Sequence, residues 1–114
     1  EYMVSAFDID WNWQHKTPGN GGWMSPVPTT VPDLSLAMTM NPGMHVLVQQ
    51  GWYDLATPYL ATKMDLEHLN ITPEARKRIQ LEHYDAGHMM YVHEPSMQKF
   101  RDDLVGFIRA TDRI

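Results

Sequence analysis

His45-Val46-Leu47-Val48-Gln49-Gln50-Gly51 and Ile79-Gln80-Leu81-Glu82-His83-Tyr84 decide the fold. The first is a short apolar run closed by a glycine and without alternation, the pattern of a strand covered on both faces, as in parallel sheets. The second alternates with period two, which is also a strand pattern. Between them, Thr57-Pro58 marks a helix start, with Thr57 as N-cap and Pro58 in the first helical position. That helix is expected from about 58 to 69, with Leu60, Ala61 and Met64 on its inner side. Thr72-Pro73-Glu74 repeats the start signal for a brief turn through Arg78. Strands joined by a crossover helix pair in parallel. Residues 45–50 and 79–84 are therefore predicted to be adjacent parallel strands.

Upstream, Pro32 suits the first turn of a short helix through Met40, stopped by Asn41-Pro42-Gly43. Downstream, a helix opens near Glu94-Pro95 and carries Met97, Phe100, Leu104, Phe107 and Ile108 at spacings of three and four. Gln98, Lys99, Arg101, Asp102 and Asp103 take the other side, so this helix is amphipathic and docks on something apolar. The order over residues 32–114 is helix, strand, helix, strand, helix, an α/β class. Residues 1–31 form a different lead-in, with Trp11, Trp13 and Trp23, a Thr17–Gly22 loop, and Pro26 and Pro28. Gly and Pro at that density punctuate structure rather than propagate it. Two strands leave most of the apolar helix faces uncovered, so the chain is expected to be the last third of a larger α/β sheet. Glu1 in place of an initiator methionine reads as a cut end, and no signal peptide opens the chain.

At 114 residues the chain is one domain at most. Its 14 acidic residues against 9 basic ones, spread along the chain, argue against a nucleic-acid-binding surface. No apolar run approaches the roughly 20 residues that cross a bilayer, so no membrane span is expected. The absence of cysteine excludes a disulfide scaffold, a thiolate zinc site and a cysteine nucleophile.

Two loops stand just past the C-terminal ends of the strands, the edge at which open α/β sheets bind ligands. Gly51-Trp52-Tyr53-Asp54-Leu55-Ala56-Thr57-Pro58 places Asp54 between a strand and a helix start. Asp85-Ala86-Gly87-His88-Met89-Met90-Tyr91 places His88 after the next strand. Singly, Asp54 reads as a turn or capping residue and His88 as a hydrogen-bonded loop histidine. Jointly, on the ends of neighbouring strands about 4.8 Å apart, they can share a hydrogen bond. A catalytic histidine needs such a carboxylate on one ring nitrogen, to hold its tautomer and stabilise the imidazolium. The order acid then histidine, at the end of a chain, matches the α/β-hydrolase order of nucleophile, acid, histidine.

The nucleophile is missing: Ser5, Ser25, Ser35 and Ser96 are the serines, and none sits in a G-x-S-x-G elbow. His83, His88 and His93, with Glu82 and Asp85 nearby, invite a metal reading. Five-residue intervals, however, put no two of them on one helix face. His83 in a strand and His93 near a helix cap are expected to be structural. No metal and no cofactor are expected. Trp11, Trp13 and Trp23 could stack sugars or substrate side chains but more often pack a loop on the core. Met89 and Met90 follow His88 closely enough to line a substrate site.

At these two loops the sequence resembles the serine carboxypeptidase family of α/β-hydrolases, particularly its bacterial members. Residues 51–58 and 86–91 carry the match, and the Trp-rich lead-in with Pro32-Asp33-Leu34 through Asn41-Pro42 resembles the segment before the family's acid. The resemblance implies a secreted or periplasmic exopeptidase that removes C-terminal residues from peptides. It makes Asp54 the triad acid and His88 the base, with the serine on an upstream part of the same protein. Where many members read Met-Val-Pro after the histidine, this chain reads Met89-Met90-Tyr91. Another α/β-hydrolase, such as an esterase or aminopeptidase, would use the same pair. A non-catalytic module docking its apolar helix faces on a partner is the alternative from outside enzymes.

Overall fold

The structure is a computed structural model, and it describes the backbone of residues 15–16 and 24–25 and all of residues 29–112. The elements are β1 (His15–Lys16), β2 (Met24–Ser25), α1 (Val31–Met40), β3 (Val46–Gly51), α2 (Tyr59–Glu67), α3 (Pro73–Arg76), β4 (Ile79–Tyr84), a 3₁₀ turn at Met90–Val92 and α4 (Glu94–Thr111). Most of the lead-in expected over 1–31, with Trp11, Trp13 and Trp23, lies outside the described residues. Within it β1 and β2 pair antiparallel, Lys16 opposite Met24. Among the described residues no helix is long and apolar enough to cross a membrane.

β3 and β4 pair in parallel from Val46 opposite Ile79 to Gly51 opposite Tyr84. The expected strand positions, pairing and intervening helix are all present, with β3 displaced by one residue. The chain is thus a small mixed helix–strand unit around two parallel strands, compatible with the α/β class. Period two in the second strand does not translate into clean alternation of burial. Gln80 is exposed while Leu81, Glu82 and His83 are all partly buried.

Two arginines hold the helix ends in place. Arg78, just before β4, donates to the carbonyls of Met38 at 3.0 Å, Asn41 at 3.0 Å and Met44 at 2.7 Å, holding the end of α1 beside the start of β3. Arg76 donates to Leu66 and, at 2.9 Å, to Leu69, holding the end of α2. Carbonyls at a helix C-terminus have no partner within the helix, and each guanidinium supplies several donors in one plane. Ser35 of α1 is buried, donates to Val31 and accepts from the Asn70 N–H, which joins α1 to the segment after α2. Thr72 caps α3 as expected, its hydroxyl accepting from the Ala75 N–H.

Three expectations are corrected. Thr57 does not cap α2: the N-cap is Pro58, with no side-chain capping bond. Leu60, Ala61 and Met64 are exposed, and the partly buried side of α2 is Thr62 and Leu66. On α4, Met97, Leu104 and Ile108 are exposed, while Ser96, Phe100, Asp103 and Phe107 face inward to varying degrees. Asp103 therefore does not lie on the solvent side. It accepts a hydrogen bond from the hydroxyl of Tyr84, which is 2% exposed. A buried phenol requires a partner, and 3.6 residues per turn place position 103 on the same line as 96, 100 and 107.

Around Tyr84 the sheet and α4 are tied together. Gln49 donates to the Tyr84 hydroxyl at 2.7 Å and to the Phe100 carbonyl at 3.0 Å. Lys99 bridges Asp103 at 2.6 Å and Glu82 at 3.0 Å, with its ammonium 4.8 Å from the centre of the Tyr84 ring. Burial, opposed by the Gln49 bond and reinforced by Asp103, pushes the Tyr84 hydroxyl up to about 12. Burial alone would raise the Asp103 carboxyl too, but the Lys99 ammonium and the Tyr84 hydroxyl more than offset it and hold the carboxyl low.

Candidate active site

The ladder between the strands continues past them into the two loops. Trp52 N–H donates to Tyr84 at 2.9 Å and Tyr53 N–H to Ala86 at 3.0 Å. Trp52 stacks on His83 with ring centres 3.9 Å apart, and Tyr59 meets Trp52 edge-on at 5.0 Å. The loop that follows β3 is thereby held against β4 at both of its ends.

Gly51 sets how closely the second loop can approach. A Cβ at this position would lie 2.3 Å from the carbonyl oxygens of both Ala86 and Gly87. Those atoms are backbone, so the neighbour cannot turn away as a side chain can. The absence of a side chain lets the loop bearing His88 lie directly on the end of β3.

Asp54 and His88 meet there. His88 Nδ1 is 3.0 Å from Asp54 Oδ2, and the Asp54 side chain is 4% exposed while that of His88 is 61% exposed. The other acceptor positions of Asp54 are taken locally. Oδ1 accepts from the N–H groups of Ala56 at 2.9 Å and Thr57 at 2.8 Å, and Oδ2 accepts from the Thr57 hydroxyl at 2.8 Å. The two sequence readings of Asp54, as turn residue and as partner of a histidine, describe the same carboxylate: its turn bonds aim Oδ2 at the imidazole.

These bonds favour the ionised carboxylate. The Thr57 N–H foremost, then His88, the Thr57 hydroxyl and the Ala56 N–H, overcome the effect of burial and hold Asp54 well below the usual carboxylate range. An ionised carboxylate only accepts, so the proton in the Asp54–His88 bond belongs to His88 Nδ1. Neutral His88 then carries its free lone pair on Nε2, the atom that a general base uses. Among the described residues the bond to Asp54 is the only hydrogen bond of His88.

Met89 follows His88 directly and is exposed; Met90, partly buried, begins the 3₁₀ turn. His83 and His93 do not join this site. His83 is engaged by Trp52, and His93 Nδ1 is 2.7 Å from Ser96 Oγ at the start of α4. Glu82 accepts from Lys99. Among the described residues no group of three or more His, Asp or Glu side chains gathers as metal ligands do. Ser35 and Ser96, the serines whose side chains are described, bond elsewhere. Thr57, Gly51 and Gln50 belong to the surroundings of the pair, and the sequence reading passed over their parts in it. Apart from their place in the 51–58 stretch, the glycine reads as the end of an apolar run and Thr57 as a helix cap.

No protein-family model matches the chain, and no curated protein or solved structure matches it.

Proposed function

We propose that this chain supplies the acid and the base of a serine carboxypeptidase-like α/β-hydrolase, which removes C-terminal residues from peptides. The observation that carries the reading is one distance, 3.0 Å from a buried, ionised Asp54 carboxylate to Nδ1 of a largely exposed His88. Both residues leave the C-terminal ends of adjacent parallel strands, in the chain order of that fold. The narrower assignment, to carboxypeptidases among α/β-hydrolases, rests on the resemblance of residues 51–58 and 86–91.

In this mechanism His88 Nε2 takes the proton of a serine hydroxyl as the serine oxygen attacks the scissile carbonyl. Asp54 stays ionised, holds Nδ1–H and stabilises the imidazolium. His88 then passes the proton to the leaving amino acid, and a water activated by the same nitrogen hydrolyses the acyl-serine. The serine comes from an upstream part of the same protein. Met89 and Met90 line the substrate side of His88 and contact the peptide.

The test is made on the complete protein. Peptides with free C-termini should lose their last residue, a fluorophosphonate should label one serine, and His88→Ala should abolish release. Turnover of simple esters with intact C-terminal peptides would favour the esterase reading instead. Labelling and release both unaffected by His88→Ala would overturn the assignment.

A further inference from the structure

Gln50 is the penultimate residue of β3 and is 5% exposed. Its Nε2 donates to the carbonyl of Thr57, while its Oε1 is buried and has no hydrogen-bond partner among the described residues. A glutamine in this position is therefore only half satisfied, a condition that packed interiors avoid. The half that is satisfied leads to the candidate site, because Thr57 makes two of the four hydrogen bonds received by Asp54.

The start of α2 makes this arrangement available. If Thr57 were the N-cap, its carbonyl would accept the first bond of the helix and its hydroxyl would face the N–H groups of the first turn. Instead the first helical acceptor is Pro58, whose carbonyl takes the N–H groups of Ala61 and Thr62. Every polar group of Thr57 is thereby free for another use: N–H and hydroxyl go to Asp54, and the carbonyl goes to Gln50. The chain of bonds runs from the strand to the loop, and from the loop to the carboxylate and imidazole.

We propose that Gln50 is a positioning residue for the Asp54–His88 pair, acting through Thr57. It fixes the loop after β3 so that Asp54 Oδ2 faces His88 Nδ1. The catalytic part of this inference rests on the acid–base reading above, but the geometric part does not.

The test compares wild type with Gln50→Leu and Gln50→Met in the complete protein, by nuclear magnetic resonance and by kinetics. Among the described residues the imidazole is the one titratable side chain in hydrogen-bond contact with Asp54, so the carboxyl titration reports the local bonds directly. Expected in the variants are a broadened or shifted His88 Nδ1 proton signal and an Asp54 carboxyl titrating closer to the ordinary range. The kcat for peptide release should fall roughly tenfold to a hundredfold with KM little changed, the scale of a catalytic group displaced by about 1 Å. Thr57→Val should reproduce the shift in part, and combining it with Gln50→Leu should add less than the sum of the two. Should Gln50→Leu fail to fold, Gln50→Met carries the same readouts with a more adaptable side chain. An unchanged Nδ1 signal and unchanged Asp54 titration in a folded variant would overturn the inference. Changed resonances in a protein with no peptidase activity would leave it standing and overturn the proposed function alone.

Discussion

The carbonyl oxygen of Ala86 occupies the space that a side chain on Gly51 would need, 2.3 Å from the position of a Cβ there. Strand end and loop are thus in backbone contact, and His88, two residues beyond Ala86, takes its place beside Asp54 from that contact. Gly51→Ala should push the 85–88 loop away. Overpacking against unyielding neighbours costs about 1–3 kcal/mol. Chemical denaturation should register that loss, and the His88 Nδ1 proton signal should weaken. A variant as stable as wild type with an intact signal would contradict the close approach.

Asp54→Asn keeps the shape of the side chain and removes its charge. Its amide can present N–H rather than oxygen to His88, which favours the wrong tautomer. For the complete protein, a loss on the order of 10⁴ in turnover is the expected scale, as in chymotrypsin-type triads. His88→Ala should be at least as damaging. Steady-state hydrolysis of a peptide substrate measures both.

Asp54 also makes an acid-range prediction. Its folded-state carboxyl lies below the ordinary value of 3.8, so it adds stability that is present above that pH and is lost as pH falls toward the folded value. In Asp54→Asn this contribution is absent at every pH. Stability against urea should therefore fall less steeply with acidification below about pH 4 in the variant than in wild type. Parallel curves would contradict the hydrogen-bonding pattern around the carboxylate.

The alkaline range reports on Tyr84. Folding favours its neutral form, raising it from 10.0 to about 12. The associated stability is complete below pH 10 and is lost as pH rises through about 12. Tyr84→Phe should remove that portion of the alkaline decline. At neutral pH it should cost about 1–3 kcal/mol, since Gln49 and Asp103 lose their partner. Denaturation curves at neutral and alkaline pH separate the two effects.

His83→Gln and His93→Gln should change peptidase turnover little, because His83 packs on Trp52 and His93 bonds Ser96. If these two substitutions abolished activity while Asp54→Asn did not, a metal site would replace the acid–base pair as the better reading.

Stability of the 114-residue chain by itself should be low. Leu55, Leu60, Met64, Val92, Met97 and Ile108 are all exposed, and among the described residues the buried apolar side chains are few, chiefly Met38, Leu69 and Tyr84. Each large apolar side chain left in water forgoes roughly 1.5–3 kcal/mol of burial. A sharp cooperative thermal transition for the isolated chain would contradict this.

Element order and strand direction were legible in the sequence because their signals are local. The apolar run at 46–48 and the prolines at 58 and 73 act on backbone within a few residues, and a crossover of that length leaves parallel pairing as the outcome. Asp54 and His88 could be singled out for the same reason: each stands one short loop past a strand end. Tertiary structure alone decided the rest. Thr57 carries the sequence of a helix cap, yet a carboxylate three residues earlier and a glutamine on the preceding strand take its polar groups. Asp103 reads as a solvent residue until the buried hydroxyl of Tyr84 supplies a donor. Gly51 reads as punctuation until the backbone of Ala86 and Gly87 arrives against it. In each case the deciding partner is fixed by three-dimensional contact. Propensity and periodicity describe how a segment bends, but not which distant group will meet it.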